Sequence, residues 1–252
     1  MPGKPTRLQP AYVLHQRAWR DSSAIVELFT PEHGRVGVVA RGVKRPRSPW
    51  RGLLQPFQPL LVAWQGGGEL KTLSNAEPQG MALALPPSAL ASGFYLNELL
   101  MRLLARFDAQ FTLFGCYDAS LRALAAVDDA SDLETVLRHF ECDLLEALGY
   151  GLALERDAAG KALDSEGRYD YQIEHGARPL QGEAEGIVLH GATLLALHRR
   201  RLSGERERRE AKRLLRAVLA RYLGPKPLAS RQLLVPRPAP GRESRPEPER
   251  DP

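Results

Sequence analysis

The chain has 252 residues, 43% hydrophobic and 26% charged, which is enough apolar material for one or two packed domains and too much for a disordered chain. Two cysteines exclude a disulfide-built scaffold. No stretch reaches the roughly 18 uninterrupted apolar residues of a membrane span, and the opening MPGKPTRLQP lacks the apolar core of a signal peptide. The expectation is a soluble cytoplasmic protein. The net charge of +5 conceals segregation. Residues 1–80 hold 11 basic against 5 acidic residues (+6), 81–197 hold 8 against 18 (−10), 198–231 hold 12 against 3 (+9), and 232–252 balance at 4 and 4. Two basic segments around an acidic middle suit a polyanionic partner, with patchy surface charge as the plain alternative.

From residue 8 to about 76 the apolar pattern is short and strand-like. The spacing predicts strands at Pro10–Gln16, Ser23–Phe29, Arg35–Ala40, Pro56–Trp64 and Glu69–Asn75. Pro31-Glu-His-Gly34 and Gly66-Gly67-Gly68 supply hairpin turns between them. Five short strands suit a small barrel, of either the OB or the SH3-like kind. From Arg35, which opens the third strand, to Arg51, before the fourth, the chain carries six cations, Arg35, Arg41, Lys44, Arg45, Arg47 and Arg51, and no acidic residue. Placed between strands, it reads as a displayed loop that neutralises phosphates, against the alternative of a solvated loop with excess charge. Trp50 can stack on a base; Phe57, in an alternating apolar strand, reads as core.

After Pro86-Pro87-Ser88 the period becomes helical. Ser88 is placed to cap a first helix carrying Leu96, Leu99, Leu100 and Leu103, and Gln110–Ala126 forms a second. Ser131 or Asp132 is placed to cap a third, which ends at Gly149. Cys116 and Cys142 fall on these helices and read as buried thiols. Residues 150–186 are rich in Gly and charge, with one alternating stretch, Arg168–Glu174. Two further helices follow, Gly191–Arg200 and Glu205–Leu223, the last stopping at Gly224-Pro225. The Arg199-Arg200-Arg201 triplet has no acidic residue among its immediate neighbours, so it reads as part of a nucleic-acid path or a contact for an acidic protein. The cations between Arg206 and Arg221 have glutamates close by and read equally as a salt-bridged face. No phosphate-loop, HExxH or GxSxG string is present, and the six histidines are scattered.

Several strings together resemble the bacterial recombination mediator family RecO. They are VLHQRAWRDSSAIVELFTPEHGRVGVVARGVKRPRS at 13–48, LLQPFQPLLV at 53–62, YLNELLMRLL at 95–104, LRHFECDLLEALGYG at 137–151 and AKRLLRAVLARYLGPKPLASRQLL at 211–234. The resemblance implies an N-terminal OB-fold followed by a helical C-terminal domain, in a non-enzymatic protein that needs no nucleotide. It implies binding of single- and double-stranded DNA and annealing of complementary strands. With RecR, such a protein loads RecA onto DNA coated by single-strand-binding protein, whose acidic, apolar C-terminal tail it docks. The LRHFE string lies where the family receives that tail, which makes Arg138 the expected contact for the tail, with an ordinary pairing to Glu134 or Glu141 as the alternative. Many relatives carry a four-cysteine zinc site after the LGY string; here residues 151–182 contain no cysteine, so no structural zinc is expected.

The reading is therefore an α+β chain. It has an OB-type barrel over 1–80, a mainly helical domain over 81–234 and a disordered Pro/Arg/Glu-rich tail over 235–252. The expected DNA contacts are Arg35, Arg41, Lys44, Arg45, Arg47, Trp50 and Arg51 on the barrel, and Arg199, Arg200 and Arg201 on the helical part. Two rivals remain at this point: an RNA-binding OB protein of the translation machinery, and a metal-dependent nuclease.

Overall fold

The computed structural model describes residues 6–127 and 129–230; the expected tail, 235–252, lies outside the described residues. Five strands come first: β1 (Gln9–Trp19), β2 (Ser23–Thr30), β3 (Gly34–Ala40), β4 (Leu60–Gln65) and β5 (Leu70–Pro78). They close a barrel in the order β1-β2-β3-β5-β4, with β3 and β5 parallel and every other pair antiparallel. That order decides for the OB-type barrel. Alternation fills its interior: Ala11, Val13, Val26, Leu28, Val36, Val38, Leu60, Val62 and Trp64 are buried there. β4 starts later than its apolar run suggests, because Pro56 and Pro59 cannot donate to a ladder. Phe57, between them, takes a left-handed backbone (φ 64°) and is buried against Phe94.

The helices are α1 (Pro87–Leu103), α2 (Phe111–Ala125), α3 (Ala130–Ala147), α4 (Gly191–His198) and α5 (Glu205–Leu223). Two expected caps are corrected. Pro86 precedes α1 and Pro87 occupies its first turn, where a missing N–H costs nothing, so Ser88 is not the cap. α3 is capped by Asp129, whose carboxylate accepts from the N–H groups of Ser131 and Asp132. α4 is also shorter than expected, ending at His198.

The expected single alternating stretch is the centre of a three-stranded sheet, β7-β6-β8, formed by β6 (Arg168–Gln172), β7 (Gly176–Pro179) and β8 (Ile187–His190). The segment preceding it is tied by side chain to backbone bonds. Asp157 Oδ1 accepts from the N–H of Ala159 (3.0 Å) and Lys161 (2.8 Å), and Arg156 donates to the Gly160 carbonyl (2.9 Å). The residues do not fit a zinc site: Cys116 and Cys142 lie on α2 and α3, and among the described residues no cluster of three metal-ligating side chains occurs.

What positions the candidate site is the way the helices cover the barrel. Outward-facing Tyr12, Leu14 and Phe29 belong to the same apolar cluster as α1 and α2. Tyr12 meets Tyr117 edge-on at 5.3 Å, and Phe29 meets Phe114 at 5.4 Å and Tyr117 at 5.8 Å. Tyr117 donates to Asn97 (2.6 Å), which donates to the Leu14 carbonyl (3.0 Å). The link from α1 to α2 lies along β3, Phe107 N–H bonding Arg35 O (3.1 Å) and Gln110 N–H bonding Pro31 O (2.9 Å). Gly34 (φ 56°) makes this approach possible, since a Cβ there would stand 1.8 Å from the Asp108 carbonyl oxygen. Gly34→Ala combines a steric clash with a left-handed backbone, and it is expected to cost about 3 kcal/mol. Thermal or urea denaturation measures this, and Gly52→Ala, whose Cβ meets nothing within 4 Å, is expected to cost less.

Candidate nucleic-acid interface

Strand parity distributes the basic run. β3 presents Arg35, Gly37 and Val39 outward, and Arg41 follows the strand on the same face. Arg35 and Arg41 thus lie at opposite ends of β3, about 20 Å apart at the rise of an extended strand. The Arg35 end is the one the helices cover. Its guanidinium donates to the Met101 carbonyl, next to the Arg106–Glu27 ion pair. Burial pulls its pKa down, opposed by Glu27 and assisted by Arg106. Arg35 is a residue of the barrel–helix junction, and its expected place among the loop cations is corrected for that reason.

At the other end the cations are free. Arg41, Lys44, Arg45, Arg47 and Arg51 are exposed, and none makes an ion pair with a described residue. The loop is shaped by its own backbone: Arg45 N–H bonds Gly42 O, Ser48 N–H bonds Arg45 O, and Leu53 N–H bonds Trp50 O, all within 3.0–3.1 Å. Trp50 is half-buried and packs on the barrel core. Lys44 N–H bonds Ser22 O (3.0 Å), and this pins the loop to the β1–β2 turn. That contact brings in residues the sequence reading missed. Beyond its three-residue pairing with β4, β1 runs on against β2 alone, and His15 to Arg20 are exposed. Arg17 and Trp19 therefore flank the loop, and Arg20 holds a left-handed backbone (φ 52°) in the turn. The missed signal was the continued alternation of Arg17 and Trp19 past Gln16.

The arginine triplet is split. Arg199 and Arg201 are exposed and make no ion pair with a described residue. Arg200 (φ 54°) turns inward to Asp143, with Glu146 at 3.9 Å and the His139 carbonyl at 3.4 Å, and so ties α4 to α3. On α5, Lys212 pairs with Glu134, Arg221 pairs with Glu174, and Arg213 bonds the Val188 carbonyl.

A second feature lies between α1, α3 and α5: a groove of about 560 Å³ with Tyr95, Leu133 and Leu137 in its lining and Arg208, Lys212 and Arg216 among its cations. Arg138 also lines it, 5% exposed, donating through Nη2 to Glu141 Oε1 (2.7 Å) while Tyr95 donates to the same oxygen (2.6 Å). The Glu141 pairing expected as the alternative is thus present. Yet Nε and Nη1 of Arg138 have no hydrogen-bond partner among the described residues. A buried guanidinium with unfilled donors can bind a further carboxylate. Asp129, Glu134 and Glu205 also line the groove; Asp129 is engaged in capping α3, and Glu134 in the pair with Lys212.

Comparison with known proteins gives one family throughout. Residues 6–81 match the family described as Recombination protein O N terminal, and residues 86–232 match Recombination protein O C terminal. A DNA repair protein RecO of Alkalilimnicola ehrlichii is 50% identical over 236 residues, 92% of each chain. That of Methylococcus capsulatus is 49% identical over 234 residues, covering 92% of this chain and 95% of the relative. That of Nitrosococcus oceani is 50% identical over 229 residues, covering 90% and 92%.

The two ends of β3 separate in a stability measurement. Arg35→Ala leaves the Met101 carbonyl unpaired, so it is expected to lower stability by about 1–2 kcal/mol. Arg41→Ala, at an exposed position, is expected to stay within about 0.5 kcal/mol of the parent. Urea denaturation of both variants checks the contrast.

Proposed function

We propose that this chain, which belongs to the RecO family of DNA repair proteins, acts in repair and recombination as a non-enzymatic DNA-binding mediator. The supporting observation is the end of the barrel left open by the helices. There Arg17, Arg20, Arg41, Lys44, Arg45, Arg47 and Arg51 are exposed without an ion pair to any described residue. Such cations bind phosphates by releasing condensed counterions, without regard to sequence. Holding two strands on one charged surface screens their mutual repulsion, and base pairing then drives annealing. Arg199 and Arg201 are assigned to the same path from the helical part. Trp50, half-buried against the barrel core, has less surface to offer a base than an exposed indole would. The site of action is the cytoplasm, at the nucleoid.

The partner assignments rest on the groove. Its unfilled Arg138 donors, apolar wall and cationic rim suit the acidic, apolar C-terminal tail of single-strand-binding protein, with Arg138 taking the terminal carboxylate. Recruitment through that tail would place the chain on coated DNA, where it acts with RecR to load RecA.

Two experiments test the reading. Complementary labelled strands incubated with the protein, without divalent metal, are expected to anneal faster than alone and to stay uncut. Arg41→Glu with Arg45→Glu is expected to weaken single-strand affinity at least tenfold, and the parent's affinity is expected to fall steeply between 50 and 200 mM salt. Cleavage, or indifference to DNA, overturns the reading. For the groove, fluorescence anisotropy with a labelled tail peptide is expected to show at least tenfold weaker binding by Arg138→Glu. Because that variant also removes the Arg138 donor from Glu141, Arg216→Glu on the exposed rim is the companion, expected to weaken binding several-fold with folding intact.

A further inference from the structure

The β1–β2 turn and the start of the basic loop enclose a cleft of about 580 Å³, lined by Trp19, Arg20, Ser23, Val39, Arg41 and Arg45 with adjoining backbone. Cross-strand register explains its shape. Trp19 pairs with Ser23, and Ala24 pairs with Ala40, so Arg41 continues the row that Trp19 and Ser23 begin. Ser23 is the smallest of the three, and the row dips between an indole and a guanidinium. Val39 lies two residues before Arg41 on the same face and provides an apolar surface in the cleft.

The cleft is held open by bonds between its two walls. Lys44 N–H reaches Ser22 O at 3.0 Å, and Gly42 N–H reaches Ser23 Oγ at 3.4 Å. Gly42 has φ 69°, and the Arg45 side chain runs along it, 3.5 Å from where a Cβ would stand. Three guanidinium groups from two chain segments therefore share one cleft. No carboxylate lines it, and none of the three makes an ion pair with a described residue. Asp21 in the turn is exposed and outside the lining. Like charges gathered in this way are relieved by an anion.

The anion has an apolar, flat companion. Of the three tryptophans, Trp64 is 3% exposed inside the barrel and Trp50 packs on the barrel core, whereas Trp19 is 38% exposed at the cleft. A site for bare phosphate needs cations alone; the indole and Val39 add an apolar surface suited to a planar ring. The volume lies within the range of small-ligand sites and accommodates a nucleotide.

We propose that this cleft is a one-nucleotide subsite for single-stranded DNA, in which an unstacked base lies on Trp19 and its flanking phosphates meet Arg20, Arg41 and Arg45. It rests on the DNA-binding reading above and adds to it a strand-type preference. Duplex bases are already stacked on their neighbours and cannot present a face to the indole, so duplex DNA would use the cations only.

The test compares affinities of the full chain for three labelled probes of equal length: oligo-dT, an abasic oligomer with the same phosphates, and a duplex. The parent is expected to prefer oligo-dT to the abasic strand about tenfold. Trp19→Ala is expected to remove that preference while keeping its affinity for abasic and duplex probes within about twofold, and Trp19→Phe is expected to retain most of it. Arg20→Ala is expected to weaken the oligo-dT and abasic probes alike, several-fold. Trp19 is at the surface, so an unchanged melting temperature establishes that the variant is folded; if it is not, the Trp19→Phe and Arg20→Ala results decide. Equal binding of oligo-dT by the parent and Trp19→Ala, or a parallel loss on the abasic strand, overturns the subsite and leaves the DNA-binding reading intact. Failure of the parent to bind any of the three probes overturns both.

Discussion

The packing of α1 and α2 against one end of the barrel's outer face is the constraint on which the rest depends. Tyr12, Leu14 and Phe29 point away from the barrel interior, and left in water they would form an apolar patch. Packed against Phe114, Tyr117 and the α1 leucines they are buried. Burying a side chain of this size contributes about 1.5–3 kcal/mol. One set of polar groups within the junction is matched, in the chain from Tyr117 through Asn97 to the Leu14 carbonyl. The register that seats these residues under the helices also fixes which residues of the same strands are left outside. Three and five residues past Leu14 the same face carries Arg17 and Trp19, and on the neighbouring β3 it carries Val39 with Arg41 following.

Charge follows the same division. Cations near packed elements are consumed by structure: Arg106 by Glu27, Arg35 by the Met101 carbonyl, Arg200 by Asp143, Lys212 by Glu134. Part of the acidic excess of residues 81–197 is spent in those pairs. Glu210 is likewise engaged. Although burial alone would raise its pKa, bonds from Thr193 and His190 hold it below the ordinary carboxylate range. Cations on the open end of the barrel have no such partners. A basic chain with a globally modest charge can therefore concentrate its field at one place.

Much of the architecture was legible because its signals are local. Alternation located all five barrel strands, the 3.6-residue period located the helices, and Gly149 and Gly224 marked two helix ends with positive φ. What escaped was decided by tertiary contact. β7 and β8 are four residues each, too short to alternate visibly, and are defined by pairing with β6. Arg35 reads as a member of the basic run in one dimension; only strand length and the position of the helices separate it from Arg41. Arg200 carries the same charge as its neighbours, but its left-handed backbone and the nearness of Asp143 take it inward. Trp19 was missed for the opposite reason: alternation continues β1 through Arg17 and Trp19, but only the sheet pairing shows that β1 outruns β4 there and leaves that end exposed.

The barrel end and the Arg138 groove are both basic, but they differ in dielectric setting. Exposed guanidinium groups around Trp19 and the loop interact with anions through water, where salt at physiological strength screens beyond about 8 Å. Their binding strength comes from number, and it suits a ligand with regularly spaced charges that can move along the surface. Arg138 is buried and single, with one donor committed to Glu141 and others unfilled. Its strength comes from direct hydrogen bonds in a place that screening reaches poorly, and it suits one carboxylate in a fixed orientation. Contacts of the first kind form and break readily, whereas a site of the second kind holds one group in place.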